Sequence, residues 1–503
     1  MQRVLNLVGS LKESEIRLVK SYYRSHHDYD DISLREKLFM LALSRPDCDD
    51  KEAMHFLFKR KNPGAFSLVK QQLKTDVLNI LLLQDADMKY KSKYAQAVFN
   101  CRRMIIQGEI LLGRGVYDEA MEVLDKAWEL ATHNELYAEQ VMIDDIYRTH
   151  LVVKEGGKDF TLISDRIRCS IALLDKSSEA KQDHYELIVP GLYRKNHGHH
   201  LNGEGQTKLD HMKQDFEATG SLRIGFYYHL SAMHYYREQY DFAKSLDHGL
   251  ALLQLVRSSP AFQSDSFFGG AKMELAKVLI NLGRYDEALE YAQVAYRHFK
   301  PGMINQLLAL EQLYYCYIRK RDLKNAGEIV DRAFQNKKVT YNGFINAKWW
   351  FFKAGLEFLN QDFAKALGSL KNSTALLKDK TGWMLGYTML EVMCRLESGN
   401  IEWCEARMEG LRKIMLRYTS ACDENCDARM ESMFRLLRSL RAAEYDYAQL
   451  QEAEKERLAL MAGNEGMYRW DPTGYELVRF EDWLKEKAER GKRKPGRPRK
   501  MDV

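Results

Sequence analysis

The chain has 503 residues, of which 45% are hydrophobic and 8 are proline, and its net charge is +5. So much apolar content at this length excludes a wholly disordered chain, and so little proline leaves long helices open almost everywhere. The charge is concentrated: residues 485–500 hold nine Lys/Arg against two Glu, and with Asp502 also counted the first 484 residues carry −1, which excludes a general attraction of the body for polyanions.

Residues 1–92 read as an N-terminal helical region. "SLKESEIRLVKSYYR" predicts a helix opened by a capping box from Ser10 to Glu13, with Ile16, Val19 and Tyr23 on one face; "AFSLVKQQLKTDVLNILLL" predicts a second amphipathic helix. Residues 93–460 read as one repeating array, in which a large residue is followed three positions later by a small one: Tyr117 and Ala120, Tyr240 and Ala243, Tyr285 and Ala288, Leu323 and Ala326, Phe363 and Ala366, and Ile401 with Cys404 in the alanine slot. From Tyr240 the spacings are 45, 38, 40 and 38 residues, and the 123 residues between Tyr117 and Tyr240 predict degenerate units near "GGKDFTLISDRI" and around residue 200. The clearest unit is "ELAKVLINLGRYDEALEYAQVAYRHFKP". Leu275, Val278, Leu279 and Leu282 have helical spacing, and Gly283 breaks that helix. Asp286 opens a second one with Ala288, Leu289, Ala292 and Ala295 inside, and Pro301 stops it. Residues 461–490 read as a linker, "MAGNEGMYRWDPTGYE", followed by a terminal helix from about Phe480 to Arg490; residues 491–503 form a basic tail.

Gly283, Tyr285, Ala288, Ala295 and Pro301 resemble the second half of a tetratricopeptide (TPR) repeat, and "SLKESEIR" resembles the opening of a group of bacterial TPR proteins of uncharacterised role. The resemblance implies an all-α fold: a superhelical array of antiparallel helix pairs, a TPR-like solenoid, ending in a disordered basic tail. Ala292 departs from it, since the family places a bulkier residue there, and the spacing exceeds the family period of about 34 residues, which points to longer helices. The resemblance further implies that the first helix of each unit lines a concave groove for an extended protein or peptide partner. In that register Tyr228, Tyr235, Tyr236, Lys277, Asn281, Tyr315, Arg319, Lys348 and Phe351 face the partner, whose identity the sequence does not give. Core packing between repeats is the other reading of "FYYHLSAMHYY".

"KRKPGRPRK" resembles an AT-hook, whose core is Gly-Arg-Pro between basic residues; the match is Gly496, Arg497 and Pro498, flanked by Arg493, Lys494, Arg499 and Lys500. Prolines hold such a segment extended, and Gly496 lets the backbone lie on the floor of a minor groove. Arg497 and Arg499 then reach into a groove whose negative potential is strongest in A·T tracts, and Lys492, Arg493, Lys494 and Lys500 are left for phosphates. Pro495 stands where the motif often has arginine, leaving one guanidinium fewer. A solvated tail that binds polyanions without preference is the alternative reading, with a nuclear-import address a third.

The eight cysteines are scattered as in a reduced cytosolic protein. Cys422 and Cys426 with Cys394 and Cys404 do not supply two zinc-type pairs, and His197, His199 and His200 near His211 lie in a Gly/Asn-rich stretch, so no metal and no cofactor is expected. Phosphate-loop, nucleophile-elbow, HExxH and dinucleotide motifs are missing, and the expectation is not an enzyme. No run approaches the roughly 18 apolar residues of a membrane span, and the first 15 residues lack a secretion core. The sequence therefore predicts a cytoplasmic scaffold, nucleoid-associated in a bacterium or nuclear in a eukaryote, that holds a protein partner and is tethered to A·T-rich DNA. A TPR adaptor without a DNA role is the alternative.

Overall fold

The computed structural model describes residues 1–25, 32–83, 92–154, 159–193, 203–262, 264–378, 382–419 and 428–492. Among them are 25 α-helices and no strand. The chain divides into two units, Met1–Arg103 and Met104–Val503, with the helix Lys93–Gly113 running across the boundary.

In the first unit, Val8, Val19, Leu38, Phe39, Leu73, Val77 and Ile80 are fully buried in one core. The buried Asp76 ties the helices together, accepting from the Tyr23 hydroxyl at 3.0 Å and from Arg35 at 2.9 Å. The expected capping box is not there. The Ser10 hydroxyl donates back to the Leu7 carbonyl and closes the helix Gln2–Gly9, and the next helix begins at Glu13 with the Lys12 amide on the Glu15 carboxylate. The chain spends Ser10 on ending one helix because only three residues separate the two.

Among the described residues, the second unit repeats one turn, and in six instances a small buried residue lies three places into the helix that follows. A residue with positive φ ends a helix at Gly115, Tyr240, Gly283, Arg321, Gln361 and Gly399. The next amide closes onto the carbonyl five residues back, as in Asp241 to Tyr236 (2.8 Å), Arg284 to Leu279 (2.9 Å) and Asp362 to Glu357 (2.9 Å). This hydrogen bond satisfies a carbonyl that the helix end would otherwise orphan. The following helices then begin at Tyr117, Phe242, Tyr285, Leu323, Phe363 and Ile401, and at three of these starts an aspartate (Asp241, Asp322, Asp362) caps the first turn. Three residues into each helix the side chain is small and buried: Ala120, Ser245, Ala288, Ala326, Ala366, Cys404.

One register assignment is corrected by this geometry. Tyr240 occupies the left-handed turn position that Gly283 takes elsewhere, so Phe242 and Ser245, not Tyr240 and Ala243, are the large and small residues of that helix. Ser245 fits a buried slot because its hydroxyl donates to the Met233 carbonyl at 2.7 Å. Near "GGKDFTLISDRI" the helix Tyr137–Lys154 is followed by one that starts at Phe160 and packs on it; this second helix runs for 34 residues, to Tyr193, and also packs on Leu222–Glu238, while residues 194–202, near the other expected unit, lie outside the described residues.

Packing is between chain neighbours: each helix from Leu222 to Glu397 rests on the ones before and after it, apart from the single-turn helix Lys337–Tyr341 and the 3₁₀ turns at the joins. The densest layer is aromatic, with Tyr314 stacked on Phe352 at 4.6 Å and Trp349 edge-on to both. The chain's final helix, Phe480–Lys492, lies against Tyr447–Ala453 and Lys455–Gly463 and contributes Phe480, Trp483 and Leu484 to the main core. Each such burial stabilises the docked helix by about 1.5–3 kcal/mol, so it is a structural member of the unit.

Candidate functional site: a groove filled by its own chain

Between the helix Lys455–Gly463 and the helix Phe480–Lys492 the backbone is irregular, with a short 3₁₀ turn at Gly466–Tyr468 and further turns and bends at 472–475 and 477–478. Asn464, at φ 57°, ends the first helix and its side chain accepts from the Trp470 amide at 2.6 Å. Asp471 then makes a tight turn, accepting from the amide and hydroxyl of Thr473, both at 2.8 Å. These local bonds shape residues 469–478 into a strap, and the array holds it.

Arg319 is the centre of the grip. Its Nε and Nη2 donate to the Pro472 carbonyl at 3.2 and 2.8 Å, and its Nη1 donates to the Leu477 carbonyl at 2.7 Å. The same guanidinium lies 4.3 Å from the centroid of the Trp470 ring, where the ring's negative face attracts it. The Tyr315 hydroxyl points to the Gly474 carbonyl at 3.4 Å. Glycines make room for the strap: a Cβ on Gly355 would strike the Leu477 side chain, and one on Gly386 would strike the Tyr475 carbonyl oxygen. At the near end Arg469 stacks over Tyr240 and Phe242. At the far end Arg429 takes both Glu476 and Glu481, with contacts of 2.7 Å to each. Burial works against the Arg429 charge, but the bonds to the two carboxylates outweigh it and hold its pKa above the usual arginine value.

Beyond the strap, Trp483 Nε1 and Lys487 Nζ both donate to Glu397, at 2.7 and 3.0 Å, fixing the last helix to the end of Trp383–Glu397. A cavity of about 330 Å³ remains between strap, last helix and array, walled by Tyr285, Phe358, Phe363, Trp470 and Trp483 with Arg490 at its edge.

The groove residues named from the sequence fall into four groups. Tyr315 and Arg319 touch the strap. Phe351 is fully buried and, with Tyr475 and Leu477, lines a void of about 20 Å³, so it is closed to any outside contact in this conformation. Lys348 pairs with Glu311 at 2.7 Å and lies 4.6 Å over Trp383; Lys277 pairs with Glu274, and Asn281 bonds back to the Lys277 carbonyl, so these three serve the array itself. Tyr228, Tyr235 and Tyr236 belong to a separate aromatic and histidine cluster with a core of Ala180, Leu187 and Leu209. There Tyr236 stacks on His248, and Tyr228 meets it edge-on. His184 bonds Ser231 at 2.9 Å, and burial pushes His184 and His229 down to about 4 and His234 to about 3. Glu274 takes Arg237 and Lys277; burial opposes its charge, but these cations hold its carboxyl well below the usual range.

Sequence reasoning missed Trp470, Glu476, Arg429, Gly355 and Gly386. The strap did carry a signal, since tryptophan and tyrosine on either side of an Asp-Pro-Thr-Gly turn are apolar cargo that a plain linker does not need. Arg429 and the glycines carried none. Of the proposed DNA contacts, Lys492 is the last residue of the final helix; Arg493, Lys494, Gly496, Arg497, Pro498, Arg499 and Lys500 lie outside the described residues, as do Cys422, Cys426, His197, His199 and His200. One group of metal-competent side chains occurs among the described residues, Glu179, His211 and Asp215, but Lys176 already sits on the Asp215 carboxylate. Among the described residues no helix is long and apolar enough to cross a membrane. No protein-family model matches the chain, and no curated protein matches it.

Proposed function

We propose that this protein is a non-enzymatic interaction scaffold of TPR-like helix pairs, tethered to A·T-rich DNA by the basic segment that follows its last helix. The six repeated turns, with a small buried residue three places into each following helix, support the repeat reading. The observation that carries the tether is the anchoring of Phe480–Lys492. With Phe480 and Leu484 in the core and Trp483 and Lys487 both on Glu397, the helix delivers Lys492 and the basic residues after it from a fixed point on the array. Anchoring removes most of the rotational freedom that a tail on a flexible linker would have to lose on binding.

The test is fluorescence anisotropy on an A·T-rich and a G·C-rich duplex of equal length across a salt series. The intact chain is expected to bind the A·T duplex preferentially, with an affinity on the order of 10⁻⁵ M at physiological salt. Arg497→Ala and a chain ending at Arg490 are expected to lose the preference. Equal binding of both duplexes with only a salt slope would replace this reading by that of a protein-binding adaptor with a generic cationic tail.

A further inference from the structure

The strap is held in the manner of a bound peptide. Its contacts with the array run through main-chain carbonyls, a stacked indole and a stacked arginine, the Arg429–Glu476 pair and sockets left by glycine, one of which seats the buried Leu477. Arg319 is the decisive group. Among the described residues no carboxylate of the array lies within ion-pair distance of it, and its hydrogen bonds all go to the strap. Without the strap, that guanidinium would face the groove with its three strap bonds open to water or to the carbonyls of another chain. An array built only to stack on itself has no need of such a group; one built to read a peptide backbone does. The strap's middle is partly accessible, with Asp471 exposed and Thr473 and Gly474 half-exposed on either side of the buried Pro472, whereas the helix after it is locked into the core.

We propose that residues 470–477 are a cis-bound ligand of this groove, and that the groove accepts in trans a peptide of the same chemistry, with the same turn at its proline, from a partner protein. That peptide has an indole two residues before a proline, then a small residue, a second aromatic and a glutamate. Arg319 takes its carbonyls and indole, Gly355 and Gly386 admit its side chains, and Arg429 takes its carboxylate. The strap competes with the partner, so the groove opens only to peptides that bind better than the chain's own. The inference rests on the scaffold reading; it concerns the groove and not the tail, so its failure and that of DNA tethering appear in different assays.

The experiment uses a fluorescein-labelled synthetic peptide of residues 467–479 and the full chain. Trp470→Ala removes the indole from Arg319 and loosens the strap without altering the groove. This variant is expected to bind the peptide at least about tenfold more tightly than the unaltered chain, and Arg319→Ala added to it is expected to abolish the gain. If Trp470→Ala keeps the helical content and melting curve of the unaltered chain yet binds no better, or if the gain survives loss of Arg319, the proposal is overturned. A second measurement holds even where the variant fails to fold. Hydrogen exchange at the Trp470, Thr473 and Gly474 amides of the unaltered chain is expected to be faster than in the helices Ile304–Arg319 and Phe480–Lys492. Exchange of those amides only at the rate of global unfolding would make the strap a fixed part of the core.

Discussion

Arg429 carries a charge into a position where its side chain is only 3% exposed, and two glutamates meet it there. Its guanidinium reaches both Glu476 and Glu481, and also the carbonyl of Tyr468 at 3.2 Å. Planar, forked donors allow one side chain to serve two carboxylates at once; a lysine ammonium of the same charge has no such geometry. Arg429→Ala leaves the buried Glu476 carboxylate without its cation and Glu481 with Arg479 alone, and is expected to lower unfolding free energy by about 3 kcal/mol, read from urea melts. Arg429→Lys is expected to recover only a minor part of that loss. Residues of this kind leave no trace in local sequence. Arg429 sits in the helix Ala428–Ala442 like any surface arginine, and its two partners lie 47 and 52 positions away.

At the scale of elements, glycine positions separate helices that carry only themselves from helices that carry the strap. Gly368 in Phe363–Lys371 has nothing within 4 Å of where a Cβ would stand, while Gly386 in Trp383–Glu397 has the Tyr475 backbone there. Gly368→Ala is expected to raise stability by about 0.5–1 kcal/mol through helix propensity. Gly386→Ala is expected to cost about 1–3 kcal/mol and to open the strap to limited proteolysis near Asp471, because a main-chain oxygen cannot rotate aside as a side chain can. The helices themselves were largely legible. Leu323, Phe363 and Ile401 announce helix starts because each follows a turn residue and precedes a small residue by three. Tyr240 misled because tyrosine is not expected at positive φ, yet there it stands at 61°, with Phe242 taking the large-residue place. The groove was half legible. The register implied by the repeat resemblance brought out Tyr315 and Arg319 as residues on one face of a first helix, but the partner on that face is a segment some 150 residues away, and a repeat register carries no information about a contact made once.

For the whole molecule, the histidine cluster sets the response to acid. His184 is buried beside Ser231, Tyr185, Tyr227 and His234, with the Glu274 charge nearby; burial lowers its pKa to about 4, and Glu274 only partly opposes this. His229, His234 and His248 are lowered for the same reason. In the unfolded chain a histidine takes its proton near pH 6.5, so between about 6.5 and 4 the unfolded state binds more protons than the folded one. Stability is therefore complete above that window and falls as pH falls through it. Asp144 acts in the opposite sense. Burial raises its pKa to about 6 despite Arg166 at 2.6 Å, so between about 4 and 6 it favours the folded state as pH falls. Four histidines outweigh it, and urea midpoints are expected to drop between pH 7 and pH 5. His184→Gln is expected to reduce that drop, by up to about 1.4 kcal/mol per pH unit within the window, and an unchanged pH slope would show that His184 is not held neutral.

The strap and last helix also bear on how the chain is made. Glu397, Arg319 and the aromatic layer around Tyr314 leave the ribosome well before Trp470, Phe480 and Trp483 exist. Domains fold as units during synthesis, the earlier parts first, so the groove stands open with its arginine unfilled until translation passes Leu484. A nascent chain halted before that point presents bare aromatic surface, and one extended past it hides that surface. Passage of the ribosome beyond Leu484 is thus registered in the fold itself, as the difference between an exposed groove that chaperones and proteases can recognise and a closed one that they pass over.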